Sequence, residues 1–166
     1  MGTPERLMPV MNDGYPNSGA KQFISKLKPD LSGYVYSTVF GAPNVSLPNI
    51  SPTAFLVDRC ENVYVSGWGG KSNLLTGFGT STTLNMPVTP DAIKGKTDAS
   101  GSDFYFFVLE KNAASQLYGT FFGQEDPPVQ VKNPSTFGDH VDGGTSRFDR
   151  NGVIYQAMCA NCYKTV

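Results

Sequence analysis

The chain has 166 residues, of which 16% are charged and 12% are aromatic, with 18 glycines and 12 prolines. So few charges and so many aromatic side chains exclude a disordered chain, and the composition also excludes coiled coils and helical bundles. The formal net charge of −1 provides no basic surface for nucleic acid. The first twenty residues contain no apolar run, so we expect neither a signal peptide in this chain nor insertion into a membrane.

Short stretches rich in β-branched and aromatic residues predict strands along most of the chain. Each stretch is bounded by Gly, Pro, Asn, Asp or Ser, which favour turns. No window has the apolar periodicity of a surface helix, apart from one short helical turn expected near residue 90. The sequence therefore predicts an all-β fold that follows an N-terminal extension of residues 1–20. The strands are expected at residues 35–40, 53–57, 62–66, 104–109, 117–122 and 153–157.

Two segments of the chain resemble each other. Residues 21–41 align without gaps with residues 103–123, and five of the 21 positions are identical. In this first repeat alignment, the shared pattern Tyr-x-Thr-x-Phe-Gly has the two-residue period of a strand that ends at glycine. A turn is expected midway through each segment, at residues 28–30 and 110–112, so each segment predicts a hairpin. The identical pairs are Leu27/Leu109, Tyr36/Tyr118, Thr38/Thr120, Phe40/Phe122 and Gly41/Gly123.

A second repeat alignment relates another pair of segments, in which Asp58 and Tyr64 correspond to Asp149 and Tyr155. The chain is thus expected to form four hairpins, of which the odd and the even ones are related. We expect two four-stranded units within residues 21–166. They are strand-rich at residues 21–69 and 103–158, and residues 70–102 form a long loop insertion. Four antiparallel strands per repeat are typical of a β-propeller blade, and a small β-sandwich is the alternative.

Five stretches of the chain share a common character. They read YSTVFG at residues 36–41, NVYVSGW at 62–68, MPVTPDA at 86–92, DFYFFVLE at 103–110 and LYGTFFG at 117–123. These stretches resemble the seven-bladed β-propeller repeat of secreted and cell-surface proteins of gliding bacteria. The resemblance implies a location outside the cell or on its surface, no enzymatic activity and no cofactor. Because about two repeats do not close a propeller, we expect flanking blades or self-association as partners.

Trp68 is the candidate residue for ligand binding. Glycines flank it, and a flat exposed ring can cover the apolar face of a sugar, with Tyr64 and Phe78 assisting. The alternative, which we favour, is that Trp68 packs at the edge of one sheet against the next repeat.

His140 is the only histidine of the chain, and it lies between Asp139 and Asp142 in a glycine-rich stretch. A hydrolase would use this histidine as a general base beside an aspartate and a serine such as Ser146. A histidine flanked by Asp and Gly is more often a turn residue, which is the interpretation we favour.

Asp149 and Asn151 are weak candidates for a calcium site, because Asp149-Arg150-Asn151-Gly152 resembles the start of a calcium-binding loop. The same pattern is typical of a hairpin turn, and the related Asp58 supports the turn.

The three cysteines are Cys60, Cys159 and Cys162. Cys159 and Cys162 form a C-x-x-C pair, for which a disulfide or free thiols are favoured over a zinc site. We therefore expect no bound metal.

The leading hypothesis is a non-enzymatic structural or adhesive module of a secreted or surface-associated protein. The first alternative is a carbohydrate-binding module that uses Trp68 and the loop insertion, with glycans as ligands. The second alternative is a hydrolase with its site around His140.

Overall fold

The computed structural model describes residues 10–11, 14–15, 17–70, 82–98, 101–123 and 146–158. This part of the chain is all-β, as the sequence predicts, with one short 3-10 helix at Lys111–Ala113. It contains no helix that is both long and apolar enough to cross a membrane. The strands are β1 (Gln22–Leu27), β2 (Tyr34–Phe40), β3 (Ser51–Val57), β4 (Val63–Trp68), β5 (Phe104–Leu109), β6 (Gln116–Phe122), β7 (Ser146–Phe148) and β8 (Ile154–Gln156).

Within the described residues, the strands form three antiparallel sheets. A four-stranded sheet in the order β3-β4-β5-β6 lies between two hairpins, β1-β2 and β7-β8. This grouping differs from the two four-stranded units expected from the sequence, since the second hairpin pairs with the third across a long connection. The physical reason lies in β5, whose six residues are all buried. A strand that is apolar on both faces needs neighbouring strands at both edges and covering layers on both sides.

The two hairpins of the first repeat alignment have the same strand register. In the first hairpin Gln22 pairs with Phe40, and in the third Phe104 pairs with Phe122. The register shifts at the corresponding point in both, after Lys26 in β1 and after Val108 in β5. The two turns also share a hydrogen bond at the strand ends, from the amide of Lys28 to Gly33 and from that of Glu110 to Ser115. The sequence alignment therefore corresponds to a repeated backbone structure.

The two hairpins of the second repeat alignment agree in the same way. Leu56 pairs with Tyr64 in the second hairpin, and Arg147 pairs with Tyr155 in the fourth. The tyrosine thus occupies the same register position in both.

The main core lies between the β1-β2 hairpin and one face of the four-stranded sheet. Phe40 and Phe107 stack there with ring centroids 5.2 Å apart, and Tyr15 contacts Phe107 from the N-terminal segment. Such aromatic contacts add to the stabilisation by burial of apolar area. The opposite face of the sheet packs on the β7-β8 hairpin through a smaller cluster, which contains Trp68, Phe104, Phe106, Ile154 and Met158.

Part of the long insertion, residues 82–98, lies against the four-stranded sheet. Its Pro87 carbonyl accepts a hydrogen bond from the hydroxyl of Tyr105. Lys94 pairs with Asp103 at 2.9 Å and also forms a bridge with Phe121 of β6. The described residues of the insertion are thus held to the sheet by polar contacts.

Candidate functional site

An apolar groove lies beside β6 and β8, on the face of the four-stranded sheet that the β7-β8 hairpin covers only in part. Its volume is about 270 Å³. Phe122 at its margin is 43% exposed, and Ile93 is 76% exposed. An apolar surface of this kind, next to a packed core, is typical of a contact site. Its lining includes Ile93, Phe106, Tyr118, Thr120, Phe122 and Ile154.

The two repeat alignments relate the groove residues on β5, β6 and β8 to residues on β1, β2 and β4, which lie on the side of the main core. The counterparts Tyr36 and Phe40 are only 3% and 2% exposed. They are buried because the four-stranded sheet covers the whole β1-β2 hairpin, whereas the two short strands β7 and β8 cover the groove side. Among the described residues, the layer of strands over the groove is therefore half as wide as the layer over the corresponding part of the main core. The pairs are Ile24/Phe106, Tyr36/Tyr118, Thr38/Thr120, Phe40/Phe122 and Val63/Ile154.

Trp68 is 7% exposed and lies in the cluster between the four-stranded sheet and β8. A sugar platform requires an exposed ring face, and the indole of Trp68 does not offer one. Trp68 instead packs in a cluster with Phe104, Phe106 and Met158.

Tyr64 lies on the same face of β4 and packs against the fourth hairpin. Its ring centroid is 5.7 Å from that of Phe148, and its hydroxyl donates to Asp58 Oδ2 at 3.1 Å. Burial, together with the neighbouring Asp58 carboxylate, raises the pKa of Tyr64. Trp68 and Tyr64 are therefore both used in packing, and Phe78 lies outside the described residues.

Asp149 organises the turn between β7 and β8. Its Oδ1 accepts hydrogen bonds from the amides of Asn151 at 2.7 Å and Val153 at 3.0 Å, and Gly152 has a φ of +81°. Asp58 makes the same bonds in the second hairpin, to the amides of Cys60 and Asn62. The two aspartates thus organise their turns through the same pair of backbone hydrogen bonds. In the parts of the chain that the structure describes, no cluster of three or more metal-ligating side chains occurs.

His140, Asp139 and Asp142 lie outside the described residues, and so do Cys159 and Cys162. Cys60 lies in the turn between β3 and β4, where it is exposed and its thiol is free.

Two charged clusters were not anticipated from the sequence. Glu61 pairs with Lys26 at 2.5 Å and with Lys111 at 2.7 Å, and these lysines lower the pKa of Glu61 to about 2. Asp103 is fully buried beside Lys94, and burial raises the pKa of Asp103 more than the ion pair lowers it. Both clusters join separate segments of the chain, so no local pattern in the sequence predicts them.

The groove was not anticipated either, although the sequence contains a signal for its lining. The first repeat alignment relates Tyr118 and Phe122 to Tyr36 and Phe40, which marks them as side chains suited to a core. Their exposure depends on the width of the layer above them, which the alignment does not give.

No protein-family model matches the chain, and neither a curated protein nor a solved structure matches it. The repeated hairpins and the groove are the features of the described structure that bear on function.

Proposed function

We propose that the chain is a non-enzymatic structural or adhesive module of a secreted or surface-associated bacterial protein. The observation that carries the proposal is the identical register of the paired hairpins in both repeat alignments. A repeated unit that buries its apolar face only against its neighbours is typical of arrays that present surfaces. We interpret the sheets as blade-like units of a propeller, which is the architecture that the sequence resemblance implies.

The side-chain chemistry of the described core supports a structural role. The side chains between the β1-β2 hairpin and the four-stranded sheet are mainly aromatic and aliphatic. Two polar groups at its margin, Gln22 and Asn49, are used in holding segments together. Gln22 accepts hydrogen bonds from the amides of Asn49 and Ile50, and Asn49 accepts one from the amide of Ala42. These groups are satisfied within the fold, as buried polar groups in a stable core are.

The adhesive role is tested by coating beads with the folded chain and measuring their retention under flow on glass and on a polysaccharide layer. Retention above that of beads coated with an unrelated folded protein of similar size is expected. Equal retention of the two bead types would contradict an adhesive role.

The enzymatic alternative is tested with ester, peptide and glycoside substrates. We expect the wild-type chain and His140→Ala to remain at the rate of the buffer blank. A rate above the blank that His140→Ala abolishes would overturn the proposal in favour of a hydrolase. A glycan array tests the carbohydrate alternative, for which selective binding by the wild type would be required.

A further inference from the structure

The groove beside β6 and β8 continues an interface that already exists within the chain. Phe106 and Ile154 line the groove and also belong to the cluster that joins the four-stranded sheet to β8. A layer that extended the β7-β8 sheet would therefore cover the groove by prolonging this contact. Within the described residues β7 is the strand that pairs with β8, and β2 is the strand that pairs with β1.

The first half of the molecule shows which element covers such a groove. There β4 pairs with β5, and the β5-β6 hairpin lies over Tyr36 and Phe40. In the second repeat alignment β8 corresponds to β4, and in the first β1 corresponds to β5. The β1-β2 hairpin is thus the element of this chain whose register fits beside β8.

The outer face of β1-β2 has the surface that the groove requires. Phe23 is 51% exposed and Leu27 is 48% exposed, whereas their counterparts Tyr105 and Leu109 are fully buried. Ser25 lies between Phe23 and Leu27 on the same face, and none of these three side chains is charged. Lys26 points to the other face of β1, where it pairs with Glu61. Insertion of this face into the groove therefore requires no desolvation of a charged side chain of β1.

A single copy cannot make this contact with itself. The β1-β2 hairpin packs on one face of the four-stranded sheet, and β7-β8 packs on the other, so the sheet separates β1 from β8.

We propose that β8 of one copy pairs antiparallel with β1 of a second copy, so that the Phe23 and Leu27 side chains of the second copy fill the groove of the first. The contact completes a four-stranded sheet in the order β7-β8-β1-β2. This inference rests on the proposed structural role, because it uses the same repeated hairpins. The contact is head-to-tail, so it generates either a closed ring or an open array.

The register of the new pair follows from the pairing of β4 with β5. Val63 lies opposite Leu109, so Ile154 of the first copy should lie opposite Leu27 of the second. Tyr64 lies opposite Val108, so Tyr155 of the first copy should lie opposite Lys26 of the second. Tyr155 is 58% exposed in the single chain, and its backbone becomes part of the new strand pair.

The experiment uses sedimentation velocity of the purified chain over a wide concentration range. We expect the wild-type chain to form species larger than the monomer. Phe23→Lys damages the inserted face and Phe122→Lys damages the groove, so each variant alone should be monomeric. The matched control is Phe55→Lys, which alters an exposed phenylalanine on β3 outside the contact and should associate like the wild type.

An equimolar mixture of Phe23→Lys and Phe122→Lys is the decisive sample. The first variant keeps its groove and the second keeps its β1 face, so one intact contact remains and dimers should form. Circular dichroism checks that each variant is folded, and Leu27→Lys replaces Phe23→Lys if the latter is not. A monomeric wild type, or a mixture of folded variants that stays monomeric, would overturn the inference. Neither result alters the bead-retention and substrate tests, which report on the proposed function separately.

Discussion

At the scale of single residues, one carboxylate organises the turn of each even hairpin. Asp58 accepts bonds from the amides of Cys60 and Asn62, from the Asn62 side chain and from Tyr64. Burial raises the pKa of Asp58, but these hydrogen bonds outweigh it and lower the value overall. The turn also places Glu61 at a φ of +67°, in the left-handed region that favours glycine. The carboxylate therefore stabilises a backbone conformation that the local sequence disfavours.

We predict that Asp58→Ala destabilises the chain by about 1–2 kcal/mol, because several hydrogen bonds to one partly exposed charged group are lost. Asp58→Asn should cost less, since its amide oxygen still accepts from the turn amides. The measurement is the urea midpoint of unfolding. Equal midpoints for Asp58→Ala and the wild type would show that the turn does not depend on this side chain.

A second prediction concerns the buried pair of Lys94 and Asp103. Burial raises the pKa of Asp103 above the ordinary value of 3.8, so its charged form is less favourable in the folded than in the unfolded state. Lys94→Met removes the counter-charge and raises this pKa further. The resulting loss of stability relative to the wild type, about 3–5 kcal/mol, should be absent below pH 3.8 and develop as the pH rises through the raised pKa of Asp103.

Urea unfolding of Lys94→Met at several pH values checks this expectation. The double variant Lys94→Met with Asp103→Asn is the control, since it removes both charges and should lose the dependence on pH. A loss of stability in Lys94→Met that is independent of pH would argue for packing by the lysine chain instead.

At the scale of the elements, the sequence predicted the interior strands well. The prediction for 104–109 coincides with β5 (Phe104–Leu109), because aromatic residues on both faces and flanking polar residues leave little choice of boundary. The pairing of β4 with β5 was not predictable in the same way. The residues between them, 69–103, contain no turn signal that specifies this partner, and either edge of a hairpin can accept a strand.

Glu61 joins elements that are distant along the chain, β1 through Lys26 and the turn after β5 through Lys111. Its pKa of about 2 in the folded state lies below the ordinary 4.5, so the stabilising contribution of the charge is present above pH 4.5 and is lost as the pH falls towards 2. We predict that Glu61→Gln is less stable than the wild type at neutral pH and that the difference closes in this window. Thermal unfolding at a series of pH values measures it.

Thermal unfolding of the wild type and of Glu61→Gln in high salt provides a control, because salt weakens interactions between exposed charges. The difference in stability should then shrink at neutral pH. A difference that persists both in acid and in high salt would mean that the backbone of the turn is responsible rather than the ion pairs.

At the scale of the whole molecule, stability is concentrated where three layers overlap. Phe107 is 1% exposed and contacts the rings of Tyr15, Phe40 and Tyr105. The sequence predicted a strand at this aromatic stretch, residues 104–109. It did not foresee the groove, because the exposure of Tyr118 and Phe122 depends on how wide the next layer is. That width is a property of the assembled sheets, and no local pattern encodes it.

We predict that Phe107→Ala lowers the free energy of unfolding by about 3–5 kcal/mol, whereas Phe55→Ala at an exposed position changes it by less than about 1 kcal/mol. Hydrogen exchange should be slowest in β4 and β5 and faster in the β7-β8 hairpin, since the latter has three-residue strands. Similar losses for the two alanine variants, or uniform exchange rates, would contradict this concentration of stability.

The four-stranded sheet is out of phase with the sequence repeat, since it takes its first two strands from the end of one repeat and its last two from the start of the next. Tandem duplication of a repeat would therefore add one complete sheet to the interior and leave the two-stranded ends unchanged. A lengthened protein would thus keep the β1-β2 and β7-β8 hairpins on either side of its added sheets.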